Sequence, residues 1–309
     1  MKPFAIAVHG GAGTILPHLL TPEKEVAYKS ALHDAILAGE KILAANGSSL
    51  DAVEAAVKVL EDCPLFNAGK GAVFNAAGGH EMDAAIMNGS DKRCGAVAGV
   101  SGVRNPIALA RAVMEKTEHV LLIGQGAETF AKANHFAMES DDYFFDAFRH
   151  EQWLQAKAED KMQLDHSDNK EKKFGTVGAV AIDRLGNLAA ATSTGGMTNK
   201  KFGRVGDTPI IGVGTYANNN TCAISCTGHG EYFMKEVVAY DISCLMEYKN
   251  CSLEEACEIV VQQKLKAIGG EGGLIAVDKN GNLCLPFNSA GMYRGFVKEG
   301  EEPIVAIYR

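Results

Sequence analysis

The chain has 309 residues, 47% hydrophobic and 22% charged, a globular balance that excludes a disordered or fibrous protein. Its 30 basic and 38 acidic residues give a net charge of −8, which argues against a general nucleic-acid role. Apolar runs such as 5–8 and 119–123 fall far short of the roughly 20 residues of a membrane span.

Residues 4–8 are predicted as a strand entering His9-Gly10-Gly11-Ala12-Gly13, read as a glycine turn that lets the strand pack under a helix. Thr21-Pro22-Glu23 supplies an N-cap with proline at the first helical position. The helix it opens should reach about Asn46 and end at Gly47. Ser48-Ser49 starts a second helix, with Ala52, Ala55, Ala56, Val59 and Leu60 on one face and a stop before Pro64. Strands are predicted at 82–87 and 96–100 about an Asn88-Gly89 turn, then a helix at 106–116, a strand at 119–123 and a helix at 125–134. From 149 to 173, 12 of 25 residues are Asp, Glu, Lys or Arg with almost no periodic apolar face, which predicts a solvated connection.

The remainder reads as β-rich. Residues 176–183 and 188–194 form a hairpin through Leu185-Gly186-Asn187, and 221–227 is another strand. Two helices follow, the second opened by a capping box of Ser252 and Glu255. A last hairpin joins 274–277 to 283–287 through Asn280-Gly281. Strands in hairpins and helices in consecutive pairs predict an α+β fold of mostly antiparallel sheets covered by helices. Neither half carries a complete set of layers, so both are expected to build one domain over 1–309.

Cysteines stand at 63, 94, 222, 226, 244, 251, 257 and 284, without a C-x-x-C pair. The segment before His9 has no secretory cleavage pattern, so the cysteines are expected reduced and the protein cytoplasmic. Gly212-Val213-Gly214-Thr215-Tyr216-Ala217 fits G-x-G-x-x-A, but no crossover helix and acidic strand end follow it, and no phosphate loop of the type G-x-x-x-x-G-K-[ST] occurs. The His9-Gly10-Gly11 run has the look of a lipase-type oxyanion loop, yet the G-x-S-x-G elbow it requires is missing.

Threonines at strand ends carry more information. Thr176 follows Gly175, Thr194 precedes Gly195-Gly196, and Thr227 precedes Gly228. Strand propensity explains some of these hydroxyls but not their glycine neighbours, where backbone N–H groups can approach a ligand. Between them, Gly203-Arg204-Val205-Gly206-Asp207 sets a cation and an anion three residues apart. One reading is a local surface salt bridge, which contributes little. The other is a clamp for a free amino acid, with Arg204 on the carboxylate and Asp207 on the ammonium.

Taken in order, Gly175-Thr176-Val177-Gly178-Ala179-Val180, Thr192-Ser193-Thr194-Gly195-Gly196, Gly203-Arg204-Val205-Gly206-Asp207 and Thr227-Gly228-His229-Gly230-Glu231 closely resemble the plant-type asparaginase and isoaspartyl peptidase family of N-terminal-nucleophile hydrolases. His9-Gly10-Gly11-Ala12-Gly13, Phe66-Asn67-Ala68-Gly69 and Met82-Asp83-Ala84 match it too, so the resemblance spans essentially the whole chain. It implies a four-layer αββα sandwich and self-cleavage between Gly175 and Thr176 into 1–175, ending in a charged tail of about 149–173, and 176–309. It implies hydrolysis of L-asparagine and β-aspartyl dipeptides by the Thr176 hydroxyl through an acyl-enzyme. Thr194 would tune that hydroxyl, Thr227 and Gly228 would hold the oxyanion, and Asn67 would order the Thr176 amine. Arg204, Asp207 and Gly230 would bind substrate.

The resemblance further implies a structural sodium ion on the carbonyls of Leu60, Glu61, Cys63, Phe66, Ala68 and Lys70, with no organic cofactor. The partners it implies are small molecules, neither nucleic acid nor membrane, with a dimer of cleaved heterodimers as the assembly. Two alternatives remain at this point. A glycosylasparaginase-like amidohydrolase is disfavoured by the lack of a signal peptide, and an uncleaved amino-acid-binding protein by the intact Gly175-Thr176 pair. Threonine aspartases need no clamp residue such as Asp207. The chemistry is consistent in itself: a free α-amine titrates at about 7.7–8.0 and serves as a base, whereas the amide nitrogen of an internal Thr176 is not basic.

Overall fold

The computed structural model describes residues 2–159 and 175–309. Strand β1 (Ala5–Gly13) is buried along its whole length because its alternate residues face two different cores. Ile6 and Val8 pack among helices, while Ala5 and Ala7 face a second sheet. Helices α1 (Pro22–Ala44) and α2 (Ser49–Asp62) follow, then β2 (Met82–Asn88), β3 (Cys94–Val100), α3 (Pro106–Lys116), β4 (Leu121–Ile123) and α4 (Gly124–Ala133). Two short helices come next, α5 (Asp141–Phe144) and α6 (Ala147–Ala158). After the undescribed segment come β5 (Val177–Ile182), β6 (Leu188–Thr194), β7 (Thr215–Ala217) and β8 (Cys222–Gly228). Helices α7 (Gly230–Glu236), α8 (Val238–Lys249) and α9 (Leu253–Cys257) precede β9 (Gly272–Asp278), β10 (Leu283–Cys284), β11 (Gly291–Lys298) and β12 (Ile304–Ala306). A π-helical stretch, Glu258–Leu265, prolongs α9.

The larger sheet has the order β12-β11-β1-β5-β6-β2-β3-β4 and the smaller one β10-β9-β8-β7. All pairings are antiparallel except β3 with β4. On β5, Val177, Ala179 and Ala181 pack with Leu32 and Ile36 of α1 and Val53 and Val57 of α2. Val180 and Ile182 join Ile224 and Val277 of the smaller sheet, beyond which lie Val238 and Ile242 of α8. The layers therefore run helix, sheet, sheet, helix, the expected α+β sandwich. Strands from the two sides of the undescribed segment alternate within the larger sheet, β1 between β11 and β5, and β2 against β6.

Several boundaries and faces differ from expectation. The His9–Gly13 run is part of β1, with a bulge between His9 and Gly11, not a turn. Gly10 is small because a Cβ there would lie 2.2 Å from the Phe66 ring. At the end of α1 the left-handed residue is Asn46 (φ 64°), while a Cβ on Gly47 would meet the Ile42 carbonyl at 2.9 Å. Helix α2 buries Val53 and Val57 beside Ala52, Ala56 and Leu60, leaving Ala55 and Val59 half-buried. Both faces are apolar, and only packing selects between them.

The connection expected from 149 begins instead as α6, whose buried face is Arg149, Gln152 and Ala156. Arg149 donates to the Leu65 carbonyl at 3.4 Å, so this face is polar and carries no apolar periodicity. The rest of the connection, 160–173, lies outside the described residues. The G-x-G-x-x-A match is also resolved: Thr215–Ala217 is edge strand β7, paired with β8, and no crossover helix follows. The last hairpin is shorter than expected, since β10 stops at Cys284, and β11 and β12 had no prediction. Three helices, not two, separate β8 from β9; the Ser252–Glu255 capping box forms at the third.

Filling the space beside Phe66 should overpack the core. The Gly10→Ala variant is expected to lose about 1–3 kcal/mol in urea unfolding with an unchanged m-value.

Candidate active site

At the mouth of β5, Thr176 meets Thr194, the last residue of β6, because Val177 pairs with Ser193 in the ladder. The Thr176 hydroxyl donates to Thr194 Oγ1 at 3.1 Å. Thr194 Oγ1 in turn donates to the Gly175 carbonyl at 3.0 Å and accepts the Gly196 N–H at 3.0 Å. Asn67, in the loop after α2, donates from Nδ2 to the same Gly175 carbonyl at 2.9 Å and to the Gly196 carbonyl at 2.7 Å. Its Oδ1 accepts the Val73 N–H at 3.0 Å, so the orientation of the amide is fixed by its partners. The carbonyl between Gly175 and Thr176 thus faces two donors, with a hydroxyl alongside.

The opposite wall carries two buried oxygens without a hydrogen-bond partner among the described residues, Thr227 Oγ1 and Asp207 Oδ2. Buried polar groups are normally paired, so each marks a place for a ligand atom. Burial pushes the Asp207 carboxyl up to about 7, opposed by the charge of Arg204. Arg204 does not bond Asp207. Its Nε and Nη2 grip Glu231 at 2.9 Å each, replacing the local salt bridge weighed for the Gly203–Asp207 loop. His229 Nε2 lies 3.1 Å from the same carboxylate, and its hydrogen bond, with Arg204 adding, holds Glu231 well below the usual carboxylate range.

Glycines make the room. A Cβ on Gly230 would sit 2.9 Å from both Arg204 Nη2 and Asp207 Oδ1, and one on Gly228 would sit 2.4 Å from the Phe233 ring. Gly175, Thr176, Thr194, Arg204 and Asp207 line a cavity of only about 20 Å³. A cleft of about 460 Å³ elsewhere, beside Ser252 and Cys284, contains none of these groups.

The structure therefore brings Asn67, Gly175, Thr176, Thr194, Arg204, Asp207 and Gly228 together, with Thr227 and Gly230 adjoining. The residues of the expected ion loop lie behind Asn67. Leu60 and Glu61 lie in the last turn of α2, and Cys63, Phe66, Ala68 and Lys70 follow it. The Lys70 ammonium sits 5.2 Å over the Tyr143 ring. Among the described residues no group of three or more His, Cys, Asp or Glu side chains is arranged to hold a metal.

Three buried polar side chains near the site, those of His9, Lys200 and Glu61, were given no role of their own by the sequence. His9 is fully buried, with Nδ1 3.0 Å from the Thr176 carbonyl and Nε2 2.9 Å from Ser225 Oγ. Burial lowers its basicity to about 3, so the ring is neutral. Lys200 is buried and donates to the Glu81 carbonyl at 2.8 Å behind the Gly196 turn. The Glu61 side chain accepts from Ser193 Oγ at 2.6 Å, and burial raises its carboxyl to about 8. The one available signal was parity: His9 shares the Ala5 and Ala7 face of β1, the face between the sheets.

Asp207 yields a pH test. A carboxyl whose folded pKa is raised contributes stability below its unfolded value, about 3.9, and loses it as the pH rises through about 7. Relative to wild type, Asp207→Asn should become progressively more stable from pH 4 to 8 in urea unfolding of the uncut chain. Parallel stability curves would contradict it.

Residues 1–307 match the Asparaginase_2 family, described as asparaginase. The chain is 54% identical to an isoaspartyl peptidase of Salmonella typhimurium, covering 100% of both chains. It is 53% identical to an isoaspartyl peptidase of Escherichia coli over 100% of this chain and 97% of the other. A plant-type L-asparaginase of Pyrococcus abyssi is 44% identical, over 96% of this chain and 97% of its own.

Proposed function

The chain belongs to the Asparaginase_2 family of asparaginases, and from that premise we propose that it is a self-activating isoaspartyl peptidase and L-asparaginase with Thr176 as nucleophile. The observation that carries the proposal is the Gly175–Thr176 peptide, its carbonyl held by Asn67 Nδ2 and Thr194 Oγ1 and its neighbouring hydroxyl held by Thr194.

In the activation step the Thr176 oxygen attacks the Gly175 carbonyl carbon, and the charge that develops on the carbonyl oxygen is stabilised by the two donors. The C–N bond breaks, the nitrogen takes up the proton the hydroxyl gives up, and Gly175 is left as an ester on Thr176. Water hydrolyses the ester, leaving a Gly175 carboxylate and a Thr176 with a free amine and hydroxyl. The cavity of about 20 Å³ is too small for an amino acid while Gly175 fills the site, so cleavage also opens the pocket. Residues 1–175 and 176–309 remain together as a heterodimer because their strands alternate in one sheet. Two such heterodimers form the assembly the resemblance implies.

In the hydrolytic step the α-amine of Thr176 takes the proton from its own hydroxyl, which attacks the side-chain carbonyl of L-asparagine or a β-aspartyl dipeptide. Thr227 Oγ1 and the Gly228 N–H receive the oxyanion. Ammonia or the downstream amino acid leaves with a proton, and water releases aspartate. Asp207 Oδ2 binds the substrate ammonium, while Arg204, whose Nε edge is held by Glu231, offers its remaining N–H groups to the substrate α-carboxylate. No helix of the described residues is long and apolar enough to cross a membrane. The eight cysteines are free thiols, which supports a cytoplasmic setting.

A sodium ion fits the loop behind Asn67. A Cβ on Gly69 would meet the Glu61 carbonyl at 2.4 Å, and one on Gly71 the Phe66 carbonyl at 2.1 Å, so main-chain oxygens close around two residues that must lack side chains. The carbonyls of Leu60, Glu61, Cys63, Phe66, Ala68 and Lys70 would hold it, a hard-oxygen set suited to a hard cation. Bound there, the ion would stiffen the loop that positions Asn67. Exchange of sodium for tetramethylammonium at constant ionic strength is expected to lower the melting temperature, and an unchanged value counts against the site.

Aspartate release from asparagine and from β-aspartyl dipeptides tests the proposal. Wild type should release it, Thr176→Ala should not, and Thr227→Ala should lose about 10²–10³ in kcat. Equal turnover by Thr176→Ala would refute the assignment.

A further inference from the structure

The Thr176 carbonyl receives a hydrogen bond from a side chain, His9 Nδ1 at 3.0 Å, at a point where β5 has not yet begun. That contact ends a longer chain of hydroxyls, and its direction follows from chemistry. A carbonyl oxygen only accepts, so Nδ1 carries the proton, and in a neutral ring Nε2 must accept. Ser225 Oγ, 2.9 Å from Nε2, is therefore the donor there. With its single hydrogen committed, Ser225 accepts from Thr192 Oγ1 at 2.7 Å, and Thr192 accepts from Thr215 Oγ1 at 2.7 Å. His9, Ser225, Thr192 and Thr215 are all fully buried. They stand on β1, β8, β6 and β7, so the chain passes back and forth between the two sheets before it reaches the nucleophile.

A separate observation agrees. Gly178 pairs with His9 in the β1–β5 ladder. A Cβ on it would lie 1.9 Å from Ser225 Oγ and 2.5 Å from His9 Nε2. The glycine two residues after Thr176 is thus required by the space that the His9–Ser225 pair occupies, since its φ is not in the left-handed region.

We propose that His9, locked as its Nδ1–H tautomer by Ser225, is a positioning residue for Thr176. It fixes the main chain of the nucleophile before cleavage and holds it afterwards, when the peptide on the amino side has gone. The inference rests on the reading of Thr176 as nucleophile. A merely structural histidine would satisfy its own nitrogens without regard to which tautomer or which carbonyl. Here the hold is directional: reversing the tautomer turns a lone pair of Nδ1 toward the lone pairs of the Thr176 carbonyl.

Imidazole nitrogen NMR on ¹⁵N-histidine-labelled wild type, with the His9 signals identified by their loss in His9→Asn, reads the tautomer directly at pH 7. Nδ1–H is expected, and Nε2–H overturns the inference. Ser225→Ala, which removes one oxygen, should mix the tautomers, slow self-cleavage and lower kcat by about tenfold or more with KM unchanged. His9→Asn, which keeps an N–H donor near the Nδ1 position, should retain more activity than His9→Leu. Equal kcat in wild type, Ser225→Ala and His9→Leu overturns the inference. A wild-type chain that neither cleaves nor releases aspartate refutes the proposed function and with it the role of His9 toward a nucleophile, whereas cleavage and aspartate release together with an Nε2–H tautomer refute the inference alone.

Discussion

The carbonyl of Gly175, held between Asn67 Nδ2 and Thr194 Oγ1, is the contact on which the rest of this architecture depends. A base and a nucleophile on one residue require a chain terminus. Under this reading the chain must therefore break at a chosen peptide inside a finished fold. That demand explains why strands from either side of Gly175 are interleaved in one sheet, and why alternate residues of β1, β5 and β6 feed two cores. Alone, the first segment would leave β1 without a neighbour, and the second would separate β11 and β12 from β5 and β6.

The site is costly to the folded state, and the costs cluster. Asp207 and Thr227 each bury an oxygen that no described residue pairs, and Glu61 buries a carboxyl with one oxygen bonded and one orphaned. Each such group costs about 1–3 kcal/mol relative to a satisfied one. Helix packing and the alanine-rich β5 and β6, whose small side chains let the layers close together, offset that cost. Under the proposed function a substrate ammonium and an oxyanion would complete the Asp207 and Thr227 oxygens, so the same atoms that weaken the folded chain would select its ligand.

Much of this was legible in the residues. Thr176, Thr194, Arg204 and Asp207 stood out because hydroxyls and charges beside glycines are hard to explain by strand propensity alone, and the order of the motifs pointed to a family that the comparisons bear out. Hairpins with Asn-Gly or Leu-Gly-Asn turns and the Ser252–Glu255 box announce themselves locally. Helix α6 did not, because it buries Arg149 and Gln152 rather than an apolar stripe. Strand β11 pairs with β1 across almost the whole chain, a partnership no local pattern reports. Glu231, His9 and Ser225 were missed for the same reason. Their meaning lies in which strand or loop faces them, and the glycine signature at Gly10 was read as a turn when it records the nearness of Phe66.

The central claim is that this chain cuts itself before Thr176, and the denatured intact mass of freshly purified protein, followed over days with N-terminal sequencing, tests it most directly. The account predicts that the 309-residue species gives way to two chains, 1–175 and 176–309, the second beginning with Thr176. A single full-length species that persists while aspartate is released would contradict it, since catalysis would then proceed without the amine on which the mechanism relies.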